Sequence, residues 1–219
     1  FVGNTSHNVA YMLKHSDLFD ELPESYHDAA YLDRLHHFIP GWEVDIIRGE
    51  MFSSGYGFVV DYLAEILRSL RNHDYSDRYK EHFSLSSDIS TRDRDGINKT
   101  FSGLMKILFP HGGATNEEVE ELLRFAIEGR KRVKDKLMRI DSTYGNVRFT
   151  YLGTDGQAKP VTTLEEEEYP SYYHKTIAEG EDGNILEAAQ PSLPPVPTEP
   201  LAPAEPVLKE MHLTFQENQ

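Results

Sequence analysis

The sequence predicts a mainly α fold with a small β element, an α+β arrangement, and three observations carry that prediction. Apolar residues recur at one-face helical intervals in three segments between residues 58 and 137. After Asp141 the pattern changes to alternation, which suits a strand. From about residue 165 the chain turns acidic and then proline-rich, a composition that buries too little apolar surface to order itself.

Taken in order, Phe1-Val2 is a short apolar piece running into Gly3-Asn4-Thr5, which reads as a strand end opening into a polar loop. Residues 25–38 show helical spacing at Ala29, Leu32 and Leu35, and Pro40-Gly41 stops the pattern. A first amphipathic helix is expected from Phe58 to Leu70, closed by Asn72-His73-Asp74. Ile97, Phe101, Leu104, Met105 and Leu108 define a second, with Ser90 to Asp93 as its capping box and Pro110 to Gly113 ending it. Thr115 to Glu118 is a capping box for a third, whose stripe runs from Val119 to Leu137. The three helices are expected to share one core. The third starts with Glu117, Glu118, Glu120 and Glu121 and ends with Arg130, Lys131, Arg132, Lys134, Lys136 and Arg139, charges that complement its dipole.

Val147 to Tyr151 alternates, Gly153 to Gly156 reads as a turn and Val161-Thr162-Thr163 as a second extended piece, so a β-hairpin is expected. Glu165 to Glu168 and then seven prolines between Pro191 and Pro206 read as a linker. Leu208 to Phe215 alternates again, like the start of another element.

The net charge of −15 is concentrated at the C-terminal end, where residues 153–219 supply −10. A basic patch in the remainder is therefore compatible with phosphate contact, because local charge decides such binding. With no Cys, disulfides and thiolate zinc sites are excluded. No apolar run reaches the length of a membrane span, and residues 1–4 lack both a start Met and a signal pattern, so the sequence reads as cut from a longer chain.

No GxxxxGK[ST] phosphate loop is present, nor an apolar strand ending in paired acids, so this chain alone is not expected to hydrolyse ATP. Asp17, Asp20 and Glu21 read as a solvated loop and not a metal site, since no His or further acid stands at ligand spacing. The adjacent His36 and His37, placed on the expected helix, point to different faces and are not read as a ligand pair. No Ser–Lys or Ser–His spacing marks a peptidase pair. Arg34 stands before a Pro-Gly turn and admits two readings, a phosphate contact at a module edge or an ion pair with Asp33 or Glu43. Arg92 and Arg94 oppose the dipole of the helix they begin, which calls for a nearby anion. A nucleotide phosphate and the neighbouring Asp88, Asp93 or Asp95 all qualify.

Four stretches, FVGNTSHNVAYML, AAYLDRLHHFIPGWEVDIIRGEMF, GYGFVVDYLAEILRSLR and TRDRDGINKTFSGLMKILFPHG, stand in that order over residues 1–140. Together they closely resemble the Lon-like AAA+ proteins of BREX phage-defence systems, the BrxL family. The resemblance implies the end of an AAA+ α/β core over residues 1–50 and a helical lid over 51–141. A short β segment (142–164), a disordered linker (165–207) and the start of a next domain (208–219) would follow. It implies that Asn4 is sensor 1, polarising the attacking water, that Arg34 is the arginine finger acting on an adjacent subunit, and that Arg92 is sensor 2, with Arg94 and Lys99 as substitutes.

The same resemblance implies a parent that uses ATP and Mg, neither bound by this fragment alone. It places that parent in the cytoplasm as a ring of identical subunits on duplex DNA, with other BREX components as further partners and no membrane contact. Arg130, Lys131, Arg132 and Lys134 are the expected contributors to a basic DNA-facing surface. Two other functions stand beside this one: an ATP-dependent Lon-type protease whose peptidase lies outside the sequence, and a non-catalytic helical interaction module.

Overall fold

The structure is a computed structural model that describes residues 2–169, apart from 17, 53, 58, 142 and 146. The expected linker beyond 169 and the alternating stretch 208–215 lie outside the described residues, as does Phe1.

Among the described residues, six α-helices and three short strands follow one another: α1 (Val9–His15), α2 (Ala29–Leu32), α3 (Val60–Leu70), β1 (Ser84–Leu85), α4 (Thr91–Leu108), α5 (Asn116–Ile140), β2 (Thr150–Leu152), β3 (Ala158–Pro160) and α6 (Leu164–Glu168). The mainly helical prediction holds. The strands form one antiparallel sheet in the order β1-β2-β3, with Leu85 opposite Tyr151 and Tyr151 opposite Lys159. β2 and β3 form a hairpin about the expected turn, with the second arm at Ala158–Pro160 and not at residues 161–163, and Gly156 at φ +72° supplies the left-handed residue the turn requires.

The helix ends follow their side chains. The Ser90 hydroxyl accepts the Asp93 amide at the start of α4. At the start of α5, Thr115 and Glu118 satisfy each other's amides at 3.3 and 2.7 Å. Thr163 and Glu166 repeat that capping box for α6. This helix falls within the stretch that the sequence reads as linker.

The 25-residue α5 is the spine. Its first half packs Val119, Leu123, Ala126 and Ile127 against Ile97, Phe101 and Met105 of α4 and against Phe149 and Tyr151 of the sheet side. Its second half packs Val133 and Leu137 against Phe19 and Leu32. Each fully buried side chain of this kind contributes about 1.5–3 kcal/mol.

Two expectations are corrected. The helix expected over residues 25–38 is reduced to a 3-10 turn at Glu24–Tyr26 and the four residues of α2. After a turn at Asp33 and Arg34 the chain runs irregularly along α5, where the Phe38 amide donates to the Gly129 carbonyl at 3.1 Å. Tertiary hydrogen bonds here override helical spacing. α3 does form, but it buries none of its residues, so the shared core belongs to α4 and α5 without it. Among the described residues no helix is long and apolar enough to cross a membrane.

Candidate functional site

Where α2 ends, two arginines and one carboxylate from distant parts of the chain meet. Asp33 is 5% exposed. Its Oδ1 accepts from Arg130 Nη2 at 2.6 Å and its Oδ2 from Arg92 Nη1 at 2.5 Å. Arg130, fully buried on α5, also donates from Nε to Asp93 Oδ1 at 2.8 Å. Its remaining bonds go to the backbone carbonyls of Asp33, at 3.0 Å, and Leu35. Arg130 thus caps the carbonyls left open at the end of α2, on both sides of Arg34. Lys134, one turn further along α5, stands 3.6 Å from Asp93 Oδ2.

Arg34 itself is exposed, and its guanidinium donates to the Ala30 carbonyl of its own turn. Neither acid that could neutralise it is available: Asp33 is held by Arg92 and Arg130, and Glu43 by Arg132. Arg92 keeps half of its side chain in solvent. Its bond to Asp33 and that carboxylate's charge raise its pKa above the usual arginine value. The anion that the start of α4 calls for is Asp33, 59 residues away, in place of the nearby Asp88, Asp93 or Asp95.

The substitutes for Arg92 are otherwise engaged. Arg94 Nη2 donates to the Ser86 carbonyl at 3.1 Å, and Lys99 pairs with Asp95 at 2.7 Å. Asn4 is exposed in the irregular segment before α1, and no hydrogen bond among the described residues joins it to the Asp33 cluster.

The basic run of α5 does not present a basic surface within the described residues. Arg130 and Arg132 are fully buried, and Lys131 and Lys134 are 7% and 8% exposed. Successive helix residues point about 100° apart, so a run of cations on a central helix meets neighbours on every side. Arg132 binds Glu43, Glu128 and Glu165, while Lys131 binds Glu166 at 2.5 Å and Asp135 at 3.1 Å. Burial works against the Lys131 charge, but Asp135 and Glu166 outweigh it and its pKa is raised. Glu165 and Glu166 and the cations Arg132 and Lys131 are thus partners in one ion-pair belt. Nothing local in the sequence joins them.

His36 and His37 lie in the irregular segment after the turn and not on a helix. The His37 ring packs against Phe125, with centroids 4.9 Å apart, and fills the space a side chain at Gly129 would take. Both of its ring nitrogens are buried without a hydrogen-bond partner. Burial, helped by the Arg132 charge, lowers its pKa to about 4. Among the described residues no group of three or more His, Asp or Glu is arranged to hold a metal ion. Asp20 accepts the Ser16 hydroxyl at 2.6 Å and Glu21 the Ser6 amide at 2.8 Å, as a solvated loop would, and Asp17 lies outside the described residues.

Residues 1–150 match the family model described as "Lon-like protease BrxL-like, ATPase domain". Two curated relatives bear the name "Lon-like protease BrxL". The one from Bacillus cereus (strain H3081.97) is 41% identical over 169 residues, which is 76% of this chain and 25% of that relative. The one from Escherichia coli O9:H4 (strain HS) is 36% identical over 167 residues, 76% of this chain and 23% of that relative. The chain spans about a quarter of the length of the relatives it matches.

Proposed function

The chain belongs to the BrxL-like ATPase-domain family, and from that premise we propose that it is the finger-and-lid end of a ring-forming cytoplasmic ATPase that couples ATP hydrolysis to engagement of duplex DNA in a BREX anti-phage system. One observation carries this reading. Arg34 is an exposed guanidinium on a turn fixed from both sides, and the carboxylates beside it are taken by other arginines. Such a group is positioned to reach an anion on a neighbouring subunit. Arg92, half in solvent at the start of α4, is the matching cation for a nucleotide held on the chain's own side.

These two residues fit the phosphate end of ATP, where their donors would offset the charge on the transferring group. Phosphoryl transfer is the chemistry ATP supplies when bound. Magnesium has no matching cluster among the described residues, and no step is assigned to it. Asn4 keeps its proposed role as sensor 1, and Arg94 and Lys99 stand behind Arg92. Duplex DNA as the partner rests on the BREX likeness of the family, since the buried run Arg130 to Lys134 lends it no support. A second reading follows from the relatives' printed name, an ATP-dependent protease of Lon type with its peptidase outside this chain.

ATP turnover by the full-length parent, measured with duplex DNA and with an unfolded protein whose cleavage is followed in the same reaction, separates the two. Stimulation by DNA without cleavage, weakening steeply with salt, supports the DNA reading. ATP-dependent cleavage stimulated by the unfolded protein overturns it. Arg34→Ala is expected to lower kcat by about 10³-fold with nucleotide affinity nearly kept, and unchanged turnover removes the finger assignment.

A further inference from the structure

We propose that Asp33 is a positioning residue shared between the two arginine sites, a carboxylate that competes with nucleotide phosphate for Arg92 and at the same time sets the turn that carries Arg34. The proposal rests on the roles given above to Arg34 and Arg92.

The first support is a balance of charge. Three cations, Arg92, Arg130 and Lys134, surround two buried carboxylates, Asp33 and Asp93. Of the five, Arg92 alone is half-exposed; the other side chains are 10% exposed or less. Removing Arg92 leaves two buried cations against two buried anions, every carboxylate still paired. Removing either carboxylate strands a buried cation, which is strongly unfavourable, and of the three cations only Arg92 is open to solvent. Arg92 is therefore the member that can transfer to another anion without unbalancing the interior. Carboxylate and phosphate oxygens are equivalent acceptors for a guanidinium fork.

The second support is the backbone. Arg130 binds the Asp33 carboxylate, the Asp33 carbonyl and the Leu35 carbonyl from one planar guanidinium. Arg34 lies between the two residues so held, and the amides of Arg34 and Leu35 close the turn onto Tyr31 and Leu32 at 3.0 and 2.9 Å. A change in the load on Asp33 Oδ2 acts one residue from the finger. Arg92 and Asp93 are adjacent in the first turn of α4, so Asp33 and Arg130 together bind the lid helix to the finger turn. Release of Arg92 to a phosphate on one subunit thereby alters the anchoring of the arginine that the same subunit offers to its neighbour.

The test uses the full-length ring, with binding of a fluorescent ATP analogue and kcat at saturating ATP as separate readouts. Asp33→Asn removes the competing charge and loosens the turn. The nucleotide Kd is expected to fall about fivefold and kcat to drop about tenfold or more, opposite effects that a merely structural loss does not produce. In the Arg92→Gln background the Kd effect is expected to vanish, because the competition is gone. A Kd unchanged by Asp33→Asn, or a Kd change that persists without Arg92, overturns the proposal. If Asp33→Asn does not assemble, Asp33→Glu keeps the charge and lengthens the arm; kcat is expected to fall with Kd kept within about twofold, and unchanged kcat overturns the proposal. Arg34→Ala and Arg92→Ala run alongside. Normal turnover in the first and normal binding in the second would overturn the site reading beneath the proposal, whatever Asp33→Asn does.

Discussion

Residues 39–70 and residues 75–165 carry apolar patterns of similar quality and use them in opposite ways. Among the described residues between Ile39 and Leu67, twelve large apolar side chains are exposed, and the face of α3 bearing Leu63 and Leu67 is left open. In the second region, fifteen residues close into one cluster around α4, α5 and the sheet. Periodicity thus specifies that a helix forms and which face seeks cover, but not whether the same stretch of chain supplies that cover.

The largest expected difference between the regions is in truncation. Phe101→Ala, at a fully buried site, is expected to cost about 3–5 kcal/mol, whereas Leu63→Ala on α3 should stay within about 0.5 kcal/mol. Urea unfolding of the chain measures both, and similar costs would break the comparison.

His37, just before the first region, packs on Phe125 of the second, and its effect depends on pH. Above about pH 6.5 its ring is neutral in both the folded and unfolded chain. Between there and pH 4 only the unfolded chain takes up the proton, so stability falls as pH falls, by about 3 kcal/mol over the window. His37→Phe keeps the ring packed on Phe125 and is expected to remove that part of the pH dependence, read as the difference between two urea midpoint curves. Parallel curves would refute the assignment.

The helix glycines come next. Gly129→Ala would set a Cβ 2.0 Å from the His37 ring, and a loss of about 1–3 kcal/mol is expected. Gly103 on α4 has nothing within 4 Å of the same position, and Ala there is expected to add about 0.4–1 kcal/mol. Thermal melting ranks the two, and the same sign for both would count against the packing.

The smallest effects concern the caps. Thr115→Ala removes half of a capping box and should cost about 1 kcal/mol globally. Val59, the cap residue of α3, makes no side-chain cap bond. Val59→Asp is therefore expected to raise amide protection over residues 61–66 and leave the unfolding midpoint unmoved, because α3 is not packed into the core. A raised midpoint would mean that α3 is coupled to the core after all.

What was legible in the sequence was local. Ser90, Thr115 and the Gly153–Gly156 turn announce their structures within four residues, and all three are found. The α2 segment misleads because Gly129 and Arg130, nearly a hundred residues on, take up its backbone groups. α6 is missed because Glu165 to Glu168 read as charge alone, when two of them are partners for Lys131 and Arg132. At the candidate site the exposed Arg34 and the misplaced cation Arg92 are visible as oddities of spacing. Asp33 is visible only as a neighbour of Arg34, since no pattern in one chain links positions 33, 93 and 130.

The ion-pair belt has a mechanical consequence. Tension applied at Tyr169 acts first on α6, whose side chains grip the middle of α5 through Glu165–Arg132 and Glu166–Lys131. The next residue back, Arg130, grips the turn that carries Arg34. A pull from the C-terminal side is thus delivered to a long helix one residue from the anchor of Arg34.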